Sequence, residues 1–305
     1  MSAGVTPDPQ PPLAPGLYLV ATPIGNLGDI TLRALDVLRR VDRIACEDTR
    51  QTQKLLHHFQ IATPTVSCHE HNERRRAEEL VAALKNGARI ALVSDAGTPA
   101  VSDPGNWLTR AAIEAGISVI PIPGASAAIA ALIASGFSTA EFQFLAFLPE
   151  KAGARRTRLE ELARQPRGSA RTLILYEAPH RILETLADLE SVWGPELRVV
   201  LARELTKMHE EFWRGTVTEL RRDLAARDRI RGEITLLVEA LPNSGISVGT
   251  PAQKPALETL AARVARMQSE EEIDEKEALK RLSRQSGQSK SQLYRELQRE
   301  RARRR

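Results

Sequence analysis

Residues 93–105, VSDAGTPAVSDPG, crowd two glycines, two prolines and two aspartates into one loop that leaves an apolar run at 90–93 and enters a helical pattern. Gly97 and Gly105 can adopt positive φ or let a ligand approach the main chain, while Pro99 and Pro104 stiffen the backbone between them. A loop this constrained at the carboxyl end of a strand is placed where open α/β sheets bind small molecules. Its chemistry consists of carboxylates (Asp95, Asp103), hydroxyls and backbone carbonyls.

Four further loops share this richness in Gly, Pro and charge at strand ends: TPIGNLGDIT (22–31), EDTR (47–50), IPIPGASAA (120–128), and YEAPHR (176–181) with ARELTK (202–207). In a parallel sheet such ends converge on one edge, so together they describe one composite site. The chain has neither GxGxxG nor GxxxxGK[ST], the loops that cradle phosphates, which lowers the expectation of ATP, NAD or FAD. A cationic, adenosine-bearing ligand suits these loops better than a pyrophosphate does, and the sulfonium of S-adenosylmethionine is such a ligand. Cys68, His69 and His71, with Cys46 elsewhere, match no common ligand spacing, so no metal is expected. Ser126 in GASAA lacks the second glycine of a nucleophile elbow, which argues against a hydrolase.

The elements that must position these loops follow from periodicity. Strands are expected at 17–21, 43–46, 89–94 and 117–120, with helices between them at 30–40, 51–58, 73–86 and 107–115, a mostly parallel sheet covered on both faces. An Ala-rich helix (125–135), an aromatic strand (FQFLAFLP) and a basic helix from about Ala154 follow. Further on, strands at 172–176, 198–202, 211–216 and 233–239 outnumber helices at 181–192 and 218–227, which makes part of a second sheet antiparallel. The expected organisation is an extended or disordered Pro-rich tail (1–15), two α/β subdomains (16–124 and 125–240) with a cleft between them, a linker (241–255) and a small all-α domain (256–305). Helical patterns at 274–286 and 289–303, broken at Gly287, have the outline of a helix-turn-helix.

Composition narrows the classes. The 305 residues are 42% hydrophobic, enough for large cores, and no apolar run approaches the ~18 residues that cross a bilayer. With two cysteines and no signal-like N-terminus, a cytoplasmic protein without membrane contact is expected. The net charge of +4 is uneven: residues 251–305 hold 14 basic and 9 acidic side chains, leaving 29 and 30 for the rest. Within 281–305 the ratio is 9 to 2, the footprint of a segment meeting phosphate backbones, with Lys290, Arg295 and Arg299 as candidate contacts.

The VSDAGTP, IPGASA, TPIGNLGD, EDTR, YEAPHR and ARELTK blocks together resemble the tetrapyrrole-methylase superfamily over about residues 16–240, and within it the branch that methylates small-subunit ribosomal RNA. The resemblance implies a two-domain α/β fold with S-adenosylmethionine in the interdomain cleft, a homodimer, and methylation of a cytidine ribose 2′-hydroxyl in ribosomal RNA or the assembled subunit. AGTP at 96–99 stands where the family has GGDP. By that match Gly97 and Thr98, with Asp95 beside them, would hold the cofactor, and Ser126, Ala127, Tyr176, Ala202 and Thr235 fall on the other blocks lining the pocket. The implied reaction makes Glu47, Asp48, Glu177 and Lys207 candidates for the base or for orienting the substrate, and Arg50, His180 and Arg181 candidates for ribose or phosphate contacts. Asp103 reads as a cap for the following helix. Two departures stand out: PIGNLGD replaces the GxGxGD of the tetrapyrrole branch, and Ala146 stands where relatives commonly carry Gly. A tetrapyrrole C-methylase and a non-catalytic nucleic-acid-binding protein remain the alternatives.

Overall fold

The computed structural model describes residues 12–69, 72–164 and 171–240, together with Asp274, Glu275, Glu277, Leu279, Arg295 and Leu297. The chain separates into two compact units, Met1–Ile246 and Ser247–Arg305.

The first unit opens with five strands, β1 (Gly16–Val20), β2 (Arg43–Cys46), β3 (Thr65–Ser67), β4 (Arg89–Val93) and β5 (Val119–Ile122). All are parallel, in the order β3-β2-β4-β1-β5. Helices α1 (Leu32–Arg40), α2 (Thr49–His58), α3 (Glu73–Lys85) and α4 (Asn106–Glu114) connect them. Alternation along the strands assigns the faces. Tyr18, Val20, Ile44, Ala91 and Val93 point to a core shared with α1 and α2. Leu17, Ala45, Ile90 and Leu92 point to the opposite core, against α3 and α4. The Thr31 hydroxyl caps α1 at the Ala34 N–H, and the Asp48 carboxylate caps α2 at the Arg50 N–H.

Helix α5 (Ala127–Ser135) follows, then a second sheet of β6 (Phe142–Phe147), β7 (Arg171–Glu177), β8 (Arg198–Arg203), β9 (Glu211–Thr216) and β10 (Ile234–Ala240), ordered β6-β7-β10-β8-β9. Only β6 and β7 run parallel; the other pairs are antiparallel, as the scarcity of helices in this half implies. Helices α6 (Ala152–Arg164), α7 (Ile182–Trp193) and α8 (Val217–Ala225) cover one face. The small residues of α5, Ala128 and Ala131, let it lie on the other. Arg155, 1% exposed, pairs with Asp188 at 2.7 Å and Glu184 at 3.1 Å and so pins α6 to α7.

Three differences from the sequence reading have local causes. Strand β3, only three residues long, is too short to show a period of two. Strand β5 lies two residues later than its apolar run suggested, because Leu17–Val20 of β1 pair with Val119–Ile122, taking in Pro121. A bulge shifts the β6 register between Phe144 and Ala146, where Ala146 takes φ 55°. A glycine there would take this conformation without strain. In the second unit the described residues Leu279 and Leu297 are helical and buried, within the helical patterns expected at 274–286 and 289–303. The N-terminal tail through residue 11 and the 241–255 linker lie outside the described residues, as do the pattern at 256–267 and His71.

Replacing Ala146 with Gly relieves a left-handed alanine and is expected to raise stability by about 0.5–1 kcal/mol in chemical denaturation, net of the entropy glycine brings to the unfolded chain.

Candidate active site

Antiparallel pairing in the second sheet turns the start of β10 and the ends of β7 and β8 to one edge, since Ile234 pairs with both Glu177 and Arg203. In the first sheet the loops after β1, β4 and β5 leave the carboxyl edge. Two of them are stitched together: the Thr22 N–H donates to the Gly97 carbonyl at 2.9 Å, and the Gly97 N–H returns to Thr22 at 3.1 Å. Gly97 sits at φ 84°, and a Cβ there would come within 3.2 Å of Ile24 Cγ2, so this crossing demands glycine. The Thr22 hydroxyl donates to the Ser94 carbonyl at 3.2 Å. The Thr98 hydroxyl donates to the Ala125 carbonyl at 3.2 Å, joining the third loop just ahead of α5.

The far end of the β4 loop is held differently from the sequence expectation. Asp103 does not cap α4; the helix begins after Gly105 with no cap from its own side chain. Glu73, at the start of α3 and 5% exposed, takes the N–H groups of Gly105, Trp107 and Leu108 on one carboxylate oxygen at 3.0, 2.8 and 3.3 Å. A carboxylate at a helix N-terminus satisfies orphan donors and complements the helix dipole. Asp103 is thereby left to face the site.

These loops and the edge of the second sheet enclose a cavity of about 390 Å³. Of the residues expected to hold a cofactor, Gly97, Thr98, Ser126, Ala127, Tyr176 and Thr235 line it. Asp95 and Ala202 do not: Asp95 instead accepts the Asp48 N–H at 3.1 Å, and Ala202 is buried on β8, one strand past Thr235 in the same cross-strand row. Ile24, Asp103, Phe147 and Glu233 complete much of the wall, which contains three carboxylate residues and no Lys or Arg among the described residues.

Local contacts sort the remaining candidates. The Glu177 carboxylate, almost fully buried, accepts the Thr185 hydroxyl at 2.6 Å and the Ala178 N–H at 2.8 Å and pairs with Arg181 at 3.3 Å. Arg181 also donates to the Leu148 carbonyl at 2.8 Å, tying the end of β6 to the start of α7. Lys207 bridges Glu204 at 2.9 Å and Glu233 at 3.1 Å, and its stem lies against Gly25 of the N-terminal loop. Burial alone would lower the pKa of this ammonium, but the hydrogen bonds to Glu204 and Glu233 outweigh it and raise it. Glu47 follows β2 and its charge acts on Asp103. Arg50 and His180 are exposed, Arg295 lies exposed on a helix of the second unit, and Lys290 and Arg299 fall outside the described residues.

Asp103 has the most perturbed chemistry in the cavity. Burial and then the charge of Glu47 push its carboxyl up to about 6, with Asp95 adding to the rise and the Ser94 hydroxyl opposing it. Across the cavity, burial raises the Tyr176 phenol, the Ala128 N–H partly offsets this, and the Asp103 charge adds to it. Tyr176 packs edge-on against Phe144 and Phe147, with ring centroids 5.0 and 5.8 Å apart. The sequence reading missed Glu73, which carries no loop motif, and assigned Asp103 a capping role that its place before a helix suggested.

A family model described as Tetrapyrrole (Corrin/Porphyrin) Methylases matches residues 16–221. A protein from Synechocystis sp. named Ribosomal RNA small subunit methyltransferase I is 50% identical over 269 residues, 87% of this chain and 94% of that protein. Its namesake from Haemophilus influenzae is 47% identical over 280 residues, 91% and 94% of the two chains. Among solved structures, uroporphyrin-III C-methyltransferase from Thermus thermophilus, complexed with S-adenyl homocysteine, matches with a TM-score of 0.52 at 16% identity, covering 74% of this chain and 98% of that one. Diphthine synthase matches at 0.54 and 16%, covering 73% and 89%. At such identities these structures speak for the fold alone.

Because three N–H groups converge on Glu73, Glu73→Ala is expected to cost about 3 kcal/mol in urea denaturation, and Glu73→Gln, which keeps an acceptor, about 1 kcal/mol.

Proposed function

Since the chain belongs to the tetrapyrrole (corrin/porphyrin) methylase family, and within it to the ribosomal RNA small subunit methyltransferase I proteins, we propose that it transfers the methyl group of S-adenosylmethionine to the ribose 2′-hydroxyl of a cytidine in small-subunit ribosomal RNA. The observation that carries the reading is the cavity itself. It draws its wall from both sheets and offers small residues and two aromatic rings beside hydroxyls from Thr98, Ser126 and Thr235. Its charged groups are carboxylates. Such a wall fits an adenosyl sulfonium cation and opposes a polyphosphate. Its volume lies within the roughly 300–1,000 Å³ of small-molecule sites.

On this reading Gly97, Thr98, Ser126, Ala127, Tyr176 and Thr235 hold the cofactor. Asp48, Glu177 and Arg181 shape the loops through their own hydrogen bonds, and Lys207 ties the N-terminal loop to the second sheet. On this reading the exposed Arg50, and Arg295 in the basic C-terminal segment, meet phosphate by charge, and the exposed His180 meets ribose or phosphate by hydrogen bonding. The bound cofactor supplies the electrophilic methyl group, and the protein's contribution is to align a 2′-hydroxyl behind it. A homodimer belongs to the same reading: Ile129 and Ile133, one turn apart on α5, are 45% and 73% exposed and offer apolar area to a second copy. A cytoplasmic location fits a ribosomal substrate, and no helix among the described residues is long and apolar enough to cross a membrane.

The test is a map of 2′-O-methylated positions in small-subunit ribosomal RNA from cells with and without this protein. One cytidine is expected to lose its methyl group; an unchanged map overturns the reading. Deleting residues 247–305 is expected to leave S-adenosylmethionine binding within about threefold, measured calorimetrically, and to reduce RNA methylation by at least about tenfold in 0.15 M salt. A tetrapyrrole methylase would not respond to the deletion.

A further inference from the structure

Helices α3 and α4 both begin at the carboxyl edge of the first sheet, where the cavity lies, because each follows a strand of a parallel sheet. Glu73 binds the two beginnings together through the N–H groups of Gly105, Trp107 and Leu108. On the surface that results, Arg74 and Arg75 of α3 and Trp107 of α4 are exposed, Trp107 by 47%, with the Arg74 guanidinium 4.4 Å over its ring. Val101, 39% exposed, is a second apolar group and also lines the cavity. A Cβ on Gly105 would stand 3.5 Å from that of Ala100, so the end of the β4 loop folds back beside Val101. Arg74, Arg75 and Trp107 are not part of the cavity wall itself.

The protein's own contacts do not use up the charge on this surface. Arg110 pairs with Glu114 at 2.8 Å and Arg76 with Glu79, whereas Arg74 and Arg75 have no ion pair among the described residues. An indole half open to water beside a second exposed apolar side chain is a patch and not a scattered surface residue. Unpaired nucleobases stack on aromatic rings and on guanidinium planes, and arginine meets phosphate, so aromatic and cation interleaved in this way fit single-stranded nucleic acid. An apolar protein partner would bury two guanidinium groups without acceptors, at a cost in desolvation.

Resting on the proposed methylation of ribosomal RNA, we propose that Trp107, Arg74 and Arg75 form a docking platform for the single-stranded nucleotides that flank the methylated one. A flanking base stacks on the indole, and the phosphates on either side of it meet the two guanidinium groups. To bring a ribose hydroxyl to a bound cofactor the target nucleotide must leave its stack, and its neighbours then need a surface at the cavity mouth. The carboxylates of the cavity wall oppose phosphate, which turns the sugar-phosphate backbone outward onto the cations beside it. Stacking tolerates any base, so the platform sets the register and affinity of the RNA and not the identity of the methylated nucleotide. It holds the RNA equally before and during methyl transfer, and its loss therefore appears in KM and not in kcat.

The experiment compares wild-type protein with Trp107→Ala, Trp107→Phe and the double variant Arg74→Gln/Arg75→Gln on small ribosomal subunits purified from cells lacking the protein. Steady-state methylation gives KM and kcat, subunit binding is followed against potassium chloride at fixed magnesium, and S-adenosylmethionine binding is measured by calorimetry. Trp107→Ala is expected to raise KM about tenfold with kcat within about twofold, and Trp107→Phe, which keeps a stacking face, to recover most of that loss. The double variant is expected to lower the slope of log affinity against log salt by about 1.4, the share of two phosphate contacts on a single strand. Cofactor affinity is expected to stay within about twofold in every variant, since the platform stands apart from the cavity wall. Trp107→Ala with a wild-type KM overturns the platform, as does a KM rise accompanied by weakened cofactor binding, which marks a structural role for the indole. A KM rise in Trp107→Ala with an unchanged salt slope in the double variant assigns the face to a protein contact and overturns it as well. If wild type leaves the subunits unmethylated, the RNA reading fails and the platform with it; methylation by wild type and all variants at one KM removes the platform alone.

Discussion

One buried carboxylate organises the side of the molecule where the chemistry is placed. Glu73 gathers three N–H groups that the start of α4 would otherwise leave unpaired, and in doing so fixes where the long β4 loop ends. At the other end the two-bond bridge between Thr22 and Gly97 fixes where it begins. Between these anchors the loop can carry two non-glycine residues at positive φ, Ala100 and Ser102, a conformation that persists only where the surroundings over-determine it. Arg74, adjacent to Glu73, lies 4.4 Å over the Trp107 ring, so consecutive side chains of α3 grip the same first turn of α4.

The charge distribution follows from the same division between wall and rim. Burial and the nearby charges of Glu47 and Asp95 raise the proton affinity of Asp103 in the wall, while the Lys207 ammonium is neutralised by two carboxylates. Arginine near the site is consumed structurally, Arg181 on the Leu148 carbonyl and Glu177, Arg203 on Glu211. A cationic small molecule and a polyanionic macromolecule can therefore be received by one protein without competing for the same groups. The sequence already separates these two demands, since its positive excess lies beyond residue 250.

Strand ends rich in Gly, Pro and charge announced the site because such residues are forced by backbone geometry, and geometry leaves a local signature. The parallel order of the first sheet and the mixed second sheet were legible for the same reason, from helices alternating with strands before residue 120 and thinning out after it. What was not legible depends on long-range contact. Glu73 reads as one more charge on an amphipathic helix until α3 and α4 are packed together, and Asp103 reads as a cap until another residue is seen to do that work. Ala202 and Asp95 sit in motifs that border the cavity, but a shift of one strand or one residue turns a side chain from wall to core or rim. Ala146 is the converse case, a departure noted in the sequence whose cost becomes visible only with its positive φ.

The placement of β1 has a bearing on how the chain is made. Of the five strands of its sheet β1 is made first, yet it lies between β4 and β5, so neither edge can be satisfied until residues 89–93 and then 119–122 have been added. At about 5–20 residues per second the wait for β4 is roughly 3–14 s, long compared with the collapse of a short chain. During that interval an apolar strand with two open edges must be shielded by whatever binds nascent chains, or by transient packing on α1. The order of the strands thus makes the N-terminal half a unit that can close only once, late, when its last strand arrives.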